Sequence, residues 1–253
     1  MEEFECPLEH WRIESTNSMW NNLHLNSKWS IGCTSDLVQL KSWRRKEEWE
    51  EFYFNSGRER RQNIGPHHDI MDNFRLSWYQ VSKQNAEYQQ MNYSHGRTPE
   101  DLMERARALY DAVKDYKSQL TLDECFECVK FRTIGQTWNG IVVAETTCIS
   151  ILSERYPMLE FRKASGEVDY DYEVDYEVFS HGNPVVGLQI KPTSYFGDAP
   201  YLVSARQINA RKFAAYKRDT GRDVLIVKYE KKKGSPLSIV NLSEIEPELN
   251  TLL

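Results

Sequence analysis

Three polar residues stand on either side of a short turn. The segment 174–191, VDYEVFSHGNPVVGLQIK, carries Asp175 before the turn and Gln189 and Lys191 after it. If the two halves pair as antiparallel strands, Asp175 lies opposite Gln189. Side chains two residues apart share one face of a strand. A carboxylate, an amide and an ammonium group are therefore predicted to converge at one place on a sheet.

This set of groups suits metal-dependent hydrolysis. Mg²⁺ prefers hard oxygen ligands and retains several waters, so Asp175 and Gln189, with the main-chain carbonyl of Ile190, are candidate ligands. Lys191 would then orient or deprotonate a water that attacks a phosphodiester, or stabilise the charge that develops on it.

Glu145 is a further candidate for the same site. In the helix predicted for residues 136–156, Glu145 falls within the apolar stripe and Glu154 falls outside it. A buried carboxylate is unfavourable unless a cation compensates it, and a metal ion or Lys191 would do so. The alternative is an ion pair between Glu145 and a surface arginine at the margin of the helix.

A run of acids precedes the turn. Residues 167–179, EVDYDYEVDYEVF, alternate strictly and predict a strand with its acids on one face. Asp169 and Asp171 are rival metal ligands, but the pairing register favours Asp175. The other interpretation is a solvated strand face. The run is not an EF-hand loop, because Val174 occupies the position that requires glycine.

The turn sets the register of the two strands. A five-residue turn over residues 180–184 pairs Phe179 with Val185 and Tyr176 with Leu188. The pairing of the acid with the amide follows from the same register.

Helices and strands are predicted on both sides of this hairpin. LEFRK reads as a strand before it, and VVGLQIK is its second strand. Residues 204–207 have the pattern of a capping box that opens a helix, which Gly221 would end. DVLIVKY and LSIVNL read as the last strands. The order helix, strand, strand, helix, strand indicates an α/β core.

The first half of the chain is predicted to be mainly helical. Residues 1–35 read as irregular, DLVQLKSWRRKEEWEEFYF as a helix and SGRERRQNIGPHH as a loop. A weaker helix follows in MDNFRLSWYQVSKQNAEYQQM, and helices start at Thr98 and at Thr121. The tryptophans of these helices are predicted to be core residues. A change in character separates an α-rich part, residues 1–120, from an α/β part, residues 121–253.

Composition limits the class of protein. The 253 residues are 40% hydrophobic and 28% charged, as in globular proteins, and no apolar run is long enough to span a membrane. The start, MEEFECPLEHW, lacks the apolar centre of a signal peptide, so a cytoplasmic protein is expected. Five cysteines, an odd number, fit a reducing compartment. For the pair Cys125 and Cys128, free buried thiols are favoured over a zinc site.

Charge is distributed unevenly along the chain. The formal net charge of −6 argues against a nonspecific polybasic surface, yet residues 204–233 contain ten basic and three acidic residues. Arg206 and Arg211 are candidate phosphate contacts, with solvated surface charge as the alternative. Lys212 would reach either solvent or the edge of the site. Ile208 of the same helix is predicted to pack on the sheet.

The predicted loop SGRERRQNIGPHH is a second candidate for DNA binding. Arginine reads guanine, and asparagine or glutamine reads adenine, through paired hydrogen bonds in the major groove. The residues concerned are Arg58, Arg60, Arg61, Gln62 and Asn63. For any one of them, a plain charged surface loop is the alternative.

The order of elements, with its aspartate strand and (D/E/Q)xK strand, resembles the PD-(D/E)XK nuclease superfamily, which includes most type II restriction endonucleases. The resemblance covers about residues 130–230. It implies that Asp175 binds metal, that Gln189 is the variable second position, that Lys191 is the catalytic lysine and that Glu145 is the helix glutamate. No proline precedes Asp175, and glutamine replaces the usual acid at position 189, which puts a second metal in doubt. The LQIKPTSY stretch, with the helix before it, is similar to the MjaI-type restriction endonucleases.

The resemblance implies a fold and a function. The fold would be α/β (α+β), with a restriction-endonuclease-like core of a central mixed β-sheet flanked by helices. The function would be Mg²⁺-dependent, site-specific cleavage of double-stranded DNA in a type II restriction system, which would include a cognate DNA methyltransferase. A homodimer is expected, because symmetric cleavage of a palindrome needs two active sites.

Residues 1–120 would serve DNA recognition or dimerisation, and residues 121–253 would form the nuclease core. Two alternatives remain open at this point. One is a noncatalytic DNA-binding protein on a degraded nuclease core, which Gln189 suggests. The other is a repair nuclease that acts on structured DNA.

Overall fold

A computed structural model describes the chain except for residues 68–73, 77, 116–118 and 232–234 and the side chains of Trp78 and Tyr201. The described residues divide into two compact units, Met1–Val143 and Ala144–Leu253. The division lies further along the chain than the predicted boundary at residue 120. The reason is that the helix Leu122–Lys130 packs against the helix Pro99–Val113 of the first unit.

The regular secondary structure in the described part of the first unit is helical. Its α-helices are α1 (His10–Glu14), α2 (Asn17–Asn22), α3 (Lys28–Ile31), α4 (Thr34–Val38), α5 (Lys46–Ile64), α6 (Trp78–Ser82), α7 (Ala86–Tyr93), α8 (Pro99–Val113) and α9 (Leu122–Lys130). The prediction that residues 1–35 are irregular is therefore wrong. Short helices form there because their apolar residues, such as Trp20 and Ile31, reach the core of the unit.

Helix α5 corrects a second prediction. The predicted helix in DLVQLKSWRRKEEWEEFYF is interrupted between α4 and α5, and α5 continues through SGRERRQNI, which was predicted to be a loop. Gly57 does not end the helix, because it lies directly against the main chain of Arg97, where a side chain would collide. The helix ends at Gly65, whose φ of 47° few other residues adopt.

The core of the first unit is rich in aromatic side chains. Trp43 and Trp49 are buried, which confirms that they are core residues, and their rings are 5.5 Å apart. The predicted starts at Thr98 and Thr121 are also confirmed. Each threonine side chain accepts a hydrogen bond from the main chain three residues later, in a capping box. The side chain of Trp78 lies outside the described residues.

The second unit contains a mixed five-stranded sheet. After π-helical turns over Phe131–Gly135 and Trp138–Glu145, its elements are α10 (Thr146–Arg155), β1 (Glu160–Lys163), α11 (Gly166–Tyr172), β2 (Tyr176–Ser180), β3 (Asn183–Pro192), α12 (Pro200–Thr220), β4 (Val224–Glu230), β5 (Ser238–Ile239) and α13 (Leu242–Asn250). The strands lie in the order β1-β2-β3-β4-β5. Only β3 and β4 are parallel, and α12 makes the crossover between them. The predicted α/β (α+β) fold, a central mixed sheet flanked by helices, is confirmed.

Apolar residues cover both faces of this sheet. Leu188 and Val178 pack in one cluster with Leu152 of α10 and Leu249 of α13. On the other face, a buried tyrosine of α12, Tyr216, packs with apolar residues that flank the strands. Odd-numbered residues of β3 point to the α12 face, because side chains alternate along a strand. Gln189 and Lys191 therefore lie on the side of α12.

The register of the hairpin is confirmed near the predicted site. Tyr176 pairs with Leu188, as predicted, but Phe179 pairs with Pro184 instead of Val185. The turn is shorter than predicted, and a β-bulge follows it, with Val185 as the extra residue. The extra residue in the bulge restores the predicted register beyond it.

The shorter turn has a local cause. His181 and Gly182 both have positive φ, 49° and 80°, which is the backbone of a two-residue hairpin turn. Such turns match the twist of paired strands, so Ser180 and Asn183 pair directly.

Only the second half of the predicted acidic strand forms a strand. Residues Gly166–Tyr172 form α11, whose first turn is capped by the side chain of Ser165. Acidic residues in the first turn favour a helix through its dipole. Glu173 adopts the left-handed conformation, with φ of 57°, and ends the helix before β2. Asp169 and Asp171 are therefore helical and do not share a strand face with Asp175.

Helix α12 begins before its predicted capping box. Pro200 occupies the first turn, where its fixed φ suits a helix start, so the predicted box at residues 204–207 lies inside the helix. Gly221, with φ of 75°, ends the helix as predicted. Ile208 was predicted to pack on the sheet, but it is 54% exposed, and Asn209 is buried instead. None of the described helices has the length and apolar character needed to cross a membrane.

Candidate active site

Asp175 lies immediately before β2 and faces β3. Its main-chain N–H donates to the carbonyl of Leu188 over 2.8 Å. Its side-chain Oδ2 accepts the main-chain N–H of Ile190 over 2.6 Å. The residue is buried. This bond holds the carboxylate beside the segment that carries Gln189 and Lys191.

Gln189 brings a neutral amide into the same place. The residue is fully buried, and its Oε1 accepts a hydrogen bond from Asn209 Nδ2 over 3.3 Å. Its Nε2 has no hydrogen-bond partner among the described residues. A buried amide group without a partner costs about 1–3 kcal/mol, so this atom marks a place where a further group would bind.

Glu145 ends the π-helical segment before α10 and is also buried. Its Oε2 accepts a hydrogen bond from Lys163 Nζ of β1 over 2.7 Å. An ion pair with a surface arginine was the alternative interpretation of Glu145, and its partner is instead a lysine of the sheet. Sequence reasoning did not identify Lys163 as a site residue.

Burial raises the pKa of both carboxyls, and the charge of Asp175 adds to the shift of Glu145. Burial, and next the negative charge of Asp175, raise the pKa of Glu145 to about 7, although Lys163 and Lys191 oppose the shift. Burial also raises the pKa of Asp175, against the effects of Lys191 and of the Ile190 N–H group. Both carboxyls are therefore easier to protonate than exposed acids.

The two lysines supply the opposing charge. Burial alone would lower the pKa of Lys163, but Glu145 and Asp175 outweigh it and the pKa is raised. The Nζ atom of Lys191 lies 5.8 Å from the ring centroid of Tyr195. Lys191 also stabilises the charged forms of Glu145 and Asp175. Two carboxylates and two ammonium groups thus share one edge of the sheet.

Of the two rival acids on α11, Asp169 lies close enough to the site to interact electrostatically with Asp175, Lys163 and Lys191. Burial, followed by the charge of Asp175, raises the pKa of Asp169. Asp171 is exposed on α11. Among the described residues, no group of three or more His, Cys, Asp or Glu side chains is arranged to hold a metal ion. The acids that face one another in the site are Asp175 and Glu145, and the third side-chain oxygen available there is that of an amide.

This donor set fits a hard divalent cation. Carboxylate and amide oxygens are the ligands that Mg²⁺ prefers, and it completes its shell with water. A cation would relieve the repulsion between Glu145 and Asp175 that raises the pKa of Glu145. Rotation of the Gln189 amide by half a turn would turn Oε1 to the position of the unpartnered Nε2. The residues therefore fit one such ion.

Two basic residues of α12 have structural partners. Arg206 Nη1 donates to the carbonyls of Tyr195 and Gly197, over 2.8 and 2.9 Å. Lys212 Nζ lies 3.1 Å from Glu173 Oε1, so it reaches the end of α11.

Three of the residues proposed to read DNA bases or phosphates are exposed on α5 and not on a loop: Arg58, Gln62 and Asn63. Arg211 of α12 is exposed as well. Arg60 is 0% exposed and its guanidinium donates to Asn92, with a shortest distance of 2.6 Å.

Arg61 pairs with Asp101 over 2.7 Å. Full burial leaves no surface of Arg60 for DNA in this conformation, and the partner of Arg61 is a buried acid.

The CxxC pair lies in the core of the first unit. Cys125 and Cys128 are both free and fully buried. Burial, followed by the influence of Cys128, raises the pKa of Cys125 to about 12. Its thiol is therefore neutral at physiological pH and a poor metal ligand in that form.

Comparison with known families bears on the whole chain. The family model described as MjaI restriction endonuclease matches residues 15–240. The match covers the first unit almost completely as well as the sheet that carries Asp175, Gln189 and Lys191. Neither a curated protein nor a solved structure matches the chain.

Proposed function

We propose that this protein is a Mg²⁺-dependent, site-specific endonuclease that hydrolyses double-stranded DNA in a type II restriction system. The chain belongs to the MjaI restriction endonuclease family. One observation carries the proposal for the site. Asp175, immediately before β2, accepts the N–H group of Ile190, which lies between Gln189 and Lys191 on the neighbouring strand β3. Glu145 brings a second buried carboxylate to the same place.

In this proposal the cation is held by side-chain oxygens of Asp175, Glu145 and Gln189 and by the main-chain carbonyl of Ile190. When bound, the cation would polarise a phosphoryl oxygen and lower the pKa of a bound water. Asp175 is already fixed for this role, because its Oδ2 accepts the Ile190 N–H and its second oxygen can bind the ion.

Lys191 has a separate role from these ligands. Its ammonium group would stabilise the negative charge that develops on the phosphate, or orient the attacking water. The aromatic ring of Tyr195 lies near its Nζ atom and restricts where the side chain can go. The charge would act over a short distance in a partly buried place, where electrostatic effects are stronger than in water.

DNA recognition is assigned to the exposed residues among those predicted. Arg58, Gln62 and Asn63 of α5 carry side chains that can contact base edges, and Arg211 of α12 can contact phosphate. The first unit would serve recognition or dimerisation, and a homodimer would cut both strands of a palindrome. The protein would act in the cytoplasm of a prokaryote, alongside a DNA methyltransferase that protects the host sites.

The first test is a digest of phage and plasmid DNA with Mg²⁺. Wild type is compared with Lys191→Ala and with Lys114→Ala, a control in which an exposed lysine of the first unit is lost. We expect discrete bands from wild type and control and none from Lys191→Ala. Bands from all the proteins would show that Lys191 is not the catalytic lysine.

The same experiment separates the alternatives. A noncatalytic DNA-binding protein, which the neutral Gln189 favours, would retard DNA in a gel but give no bands with any divalent metal. A repair nuclease would cut forks, flaps or mismatched duplexes in preference to ordinary duplex. Either result would replace the restriction endonuclease proposal.

A further inference from the structure

A buried chain of polar groups runs from the site to helix α12. Asn209 Nδ2 donates to Gln189 Oε1 over 3.3 Å and to Tyr195 Oη over 2.9 Å. Asn209 is buried on α12, and Gln189 is fully buried on β3. Polar groups at such depth are unfavourable unless hydrogen bonds compensate their desolvation.

Tyr195, the third member of this hydrogen-bonded series, is anchored to α12 through main-chain carbonyls. Tyr195 belongs to the short 3₁₀ helix Thr193–Phe196 that follows β3. Arg206 of α12 donates to the carbonyls of Tyr195 and Gly197, over 2.8 and 2.9 Å. This guanidinium fastens the 3₁₀ turn to α12. Tyr195 and Asn209 are thereby kept within hydrogen-bond distance.

When the donors and acceptors of these three side chains are paired, one polar atom has no hydrogen-bond partner among the described residues. Asn209 Nδ2 has two hydrogens, and its two bonds, to Gln189 and to Tyr195, use both. Gln189 Nε2 has no partner among the described residues. In this arrangement the amide presents a nitrogen, which cannot bind a cation.

The opposite arrangement keeps both hydrogen bonds and puts an oxygen, which a cation can satisfy, where the unpartnered nitrogen lies. If both amides turn by half a turn, Gln189 Nε2 donates to Asn209 Oδ1, and the Tyr195 hydroxyl donates to the same oxygen. Gln189 Oε1 then occupies the position that Nε2 had. A hydroxyl serves in both arrangements because it can donate or accept. Only the second arrangement presents an oxygen toward the site.

We propose that Asn209 and Tyr195 are positioning residues that fix the Gln189 amide with its oxygen toward the cation, and thereby set the affinity of the site for the metal. The inference rests on the proposed function, because it assigns a purpose to Gln189 as a metal ligand. It adds residues that touch neither the metal nor the DNA. Partners of metal ligands typically contribute tenfold to a hundredfold in metal affinity.

The test measures Mn²⁺ binding by the full chain without DNA, from the electron paramagnetic resonance signal of the free ion. Asn209→Leu keeps the size of the side chain and removes its polar groups, and Tyr195→Phe removes only the hydroxyl. We expect each variant to bind Mn²⁺ about tenfold more weakly. Gln207→Leu, at an exposed position of α12, and Tyr172→Phe, whose hydroxyl bonds Asp219, are the matched controls and should bind normally.

A double-mutant cycle tests whether the residues act through Gln189. Gln189→Leu should weaken binding as well, and adding Asn209→Leu to it should cause little further loss, because the two changes interrupt one path. In cleavage assays, Asn209→Leu and Tyr195→Phe should raise the Mg²⁺ concentration needed for half-maximal rate by about tenfold. At saturating Mg²⁺ both should retain a near-normal kcat.

The outcomes separate this inference from the proposed function. If wild type binds no Mn²⁺, or Gln189→Leu binds it normally, the proposed metal site is wrong and the inference falls with it. If Gln189→Leu loses affinity while Asn209→Leu and Tyr195→Phe do not, only the inference is overturned. Circular dichroism checks folding, and Tyr195→Phe, which removes one atom, decides the matter if Asn209→Leu does not fold.

Discussion

The buried carboxyl of Glu145 should destabilise the metal-free protein at alkaline pH. Burial and the nearby charge of Asp175 raise its pKa to about 7, from an ordinary value of 4.5. Because the pKa is higher in the folded state, the protonated carboxyl favours folding fully below about pH 4.5, and this contribution is lost as the pH rises through about 7. Glu145→Gln keeps the neutral form at every pH.

The size of the effect follows from the two pKa values. Each unit of pKa difference corresponds to about 1.4 kcal/mol. At pH 5 the carboxyl is neutral in the folded protein and partly ionised in the unfolded chain, and at pH 8 it is ionised in both. Between pH 5 and pH 8, Glu145→Gln should therefore gain about 2.5 kcal/mol of unfolding free energy relative to wild type. Groups that do not interact with Glu145 titrate alike in both proteins and cancel in the difference.

The assay is urea unfolding in EDTA at several pH values, followed by circular dichroism. Glu154→Gln is the matched control, because Glu154 is exposed in α10 and lies near Glu145 in the chain. Its difference from wild type should stay within about 0.5 kcal/mol at each pH. A Glu145→Gln difference that does not change with pH would refute the reasoning, since it would mean that Glu145 is ionised throughout. Saturating Mg²⁺ should stabilise wild type more than the variant, because a ligand stabilises the state that binds it.

Two further predictions concern packing and charge. Gly57→Ala should lower the unfolding free energy by about 3 kcal/mol or more, because a Cβ there would lie 2.3 Å from the carbonyl carbon of Arg97. In the control variant Gly140→Ala, the added Cβ would have no atom within 4 Å, so the unfolding free energy should stay unchanged or rise by up to about 1 kcal/mol. Equal losses for the two variants in urea unfolding would contradict this prediction. Lys163→Met, which removes the partner of Glu145, should cost about 2–3 kcal/mol in EDTA at pH 8 and clearly less at pH 5. A loss of the same size at both pH values would show that Lys163 acts by packing alone.

The face of β3 could be predicted from its sequence, whereas the register across the turn was right because two errors cancelled. The period of two in β3 fixed which face Gln189 and Lys191 share, and the turn length fixed the partner of Asp175. The turn itself was predicted wrongly, with five residues in place of two. The bulge at Val185 offset the error, so the pairing at Tyr176 was right. Sequence reasoning could not have found the bulge, because a bulge depends on how both strands twist together.

The acidic run could not be predicted from its period alone. An alternation of acids with valine and tyrosine satisfies a strand, and residues 176–180 are one. The first half becomes α11 because Ser165 caps it and Glu173 can take a left-handed conformation to end it. Both signals are local and weak beside the strict alternation of residues 167–179. Tertiary context decided between them.

Lys163 and Asn209 escaped prediction for a common reason. Each is a single polar residue on an element whose pattern gives no sign of chemistry, and each becomes informative only through a contact distant in sequence. Lys163 of β1 donates a hydrogen bond to Glu145, and Asn209 of the crossover helix α12 donates one to Gln189 of β3. Asn209 directly follows Ile208 on α12, and Ile208 was predicted to face the sheet. If the buried face of the helix had been predicted one residue further along, Asn209 would have been placed on the sheet.

The charges of the site bear on how many cations it can hold. Asp175 and Glu145 are opposed by the positive charges of Lys163 and Lys191, and Glu173 and Asp169 add negative charge near Asp175. One divalent cation adds a charge that an incoming phosphate and a hydroxide can balance. A second cation would need carboxylate ligands of its own, but position 189 holds an amide, and no group of three or more His, Cys, Asp or Glu side chains among the described residues is arranged to hold a metal ion. We therefore expect Mn²⁺ titrations of the free protein to saturate at one ion per chain. Two tightly bound ions per chain would show that a ligand other than Asp175, Glu145 and Gln189 joins the site, such as Asp169 after movement of α11.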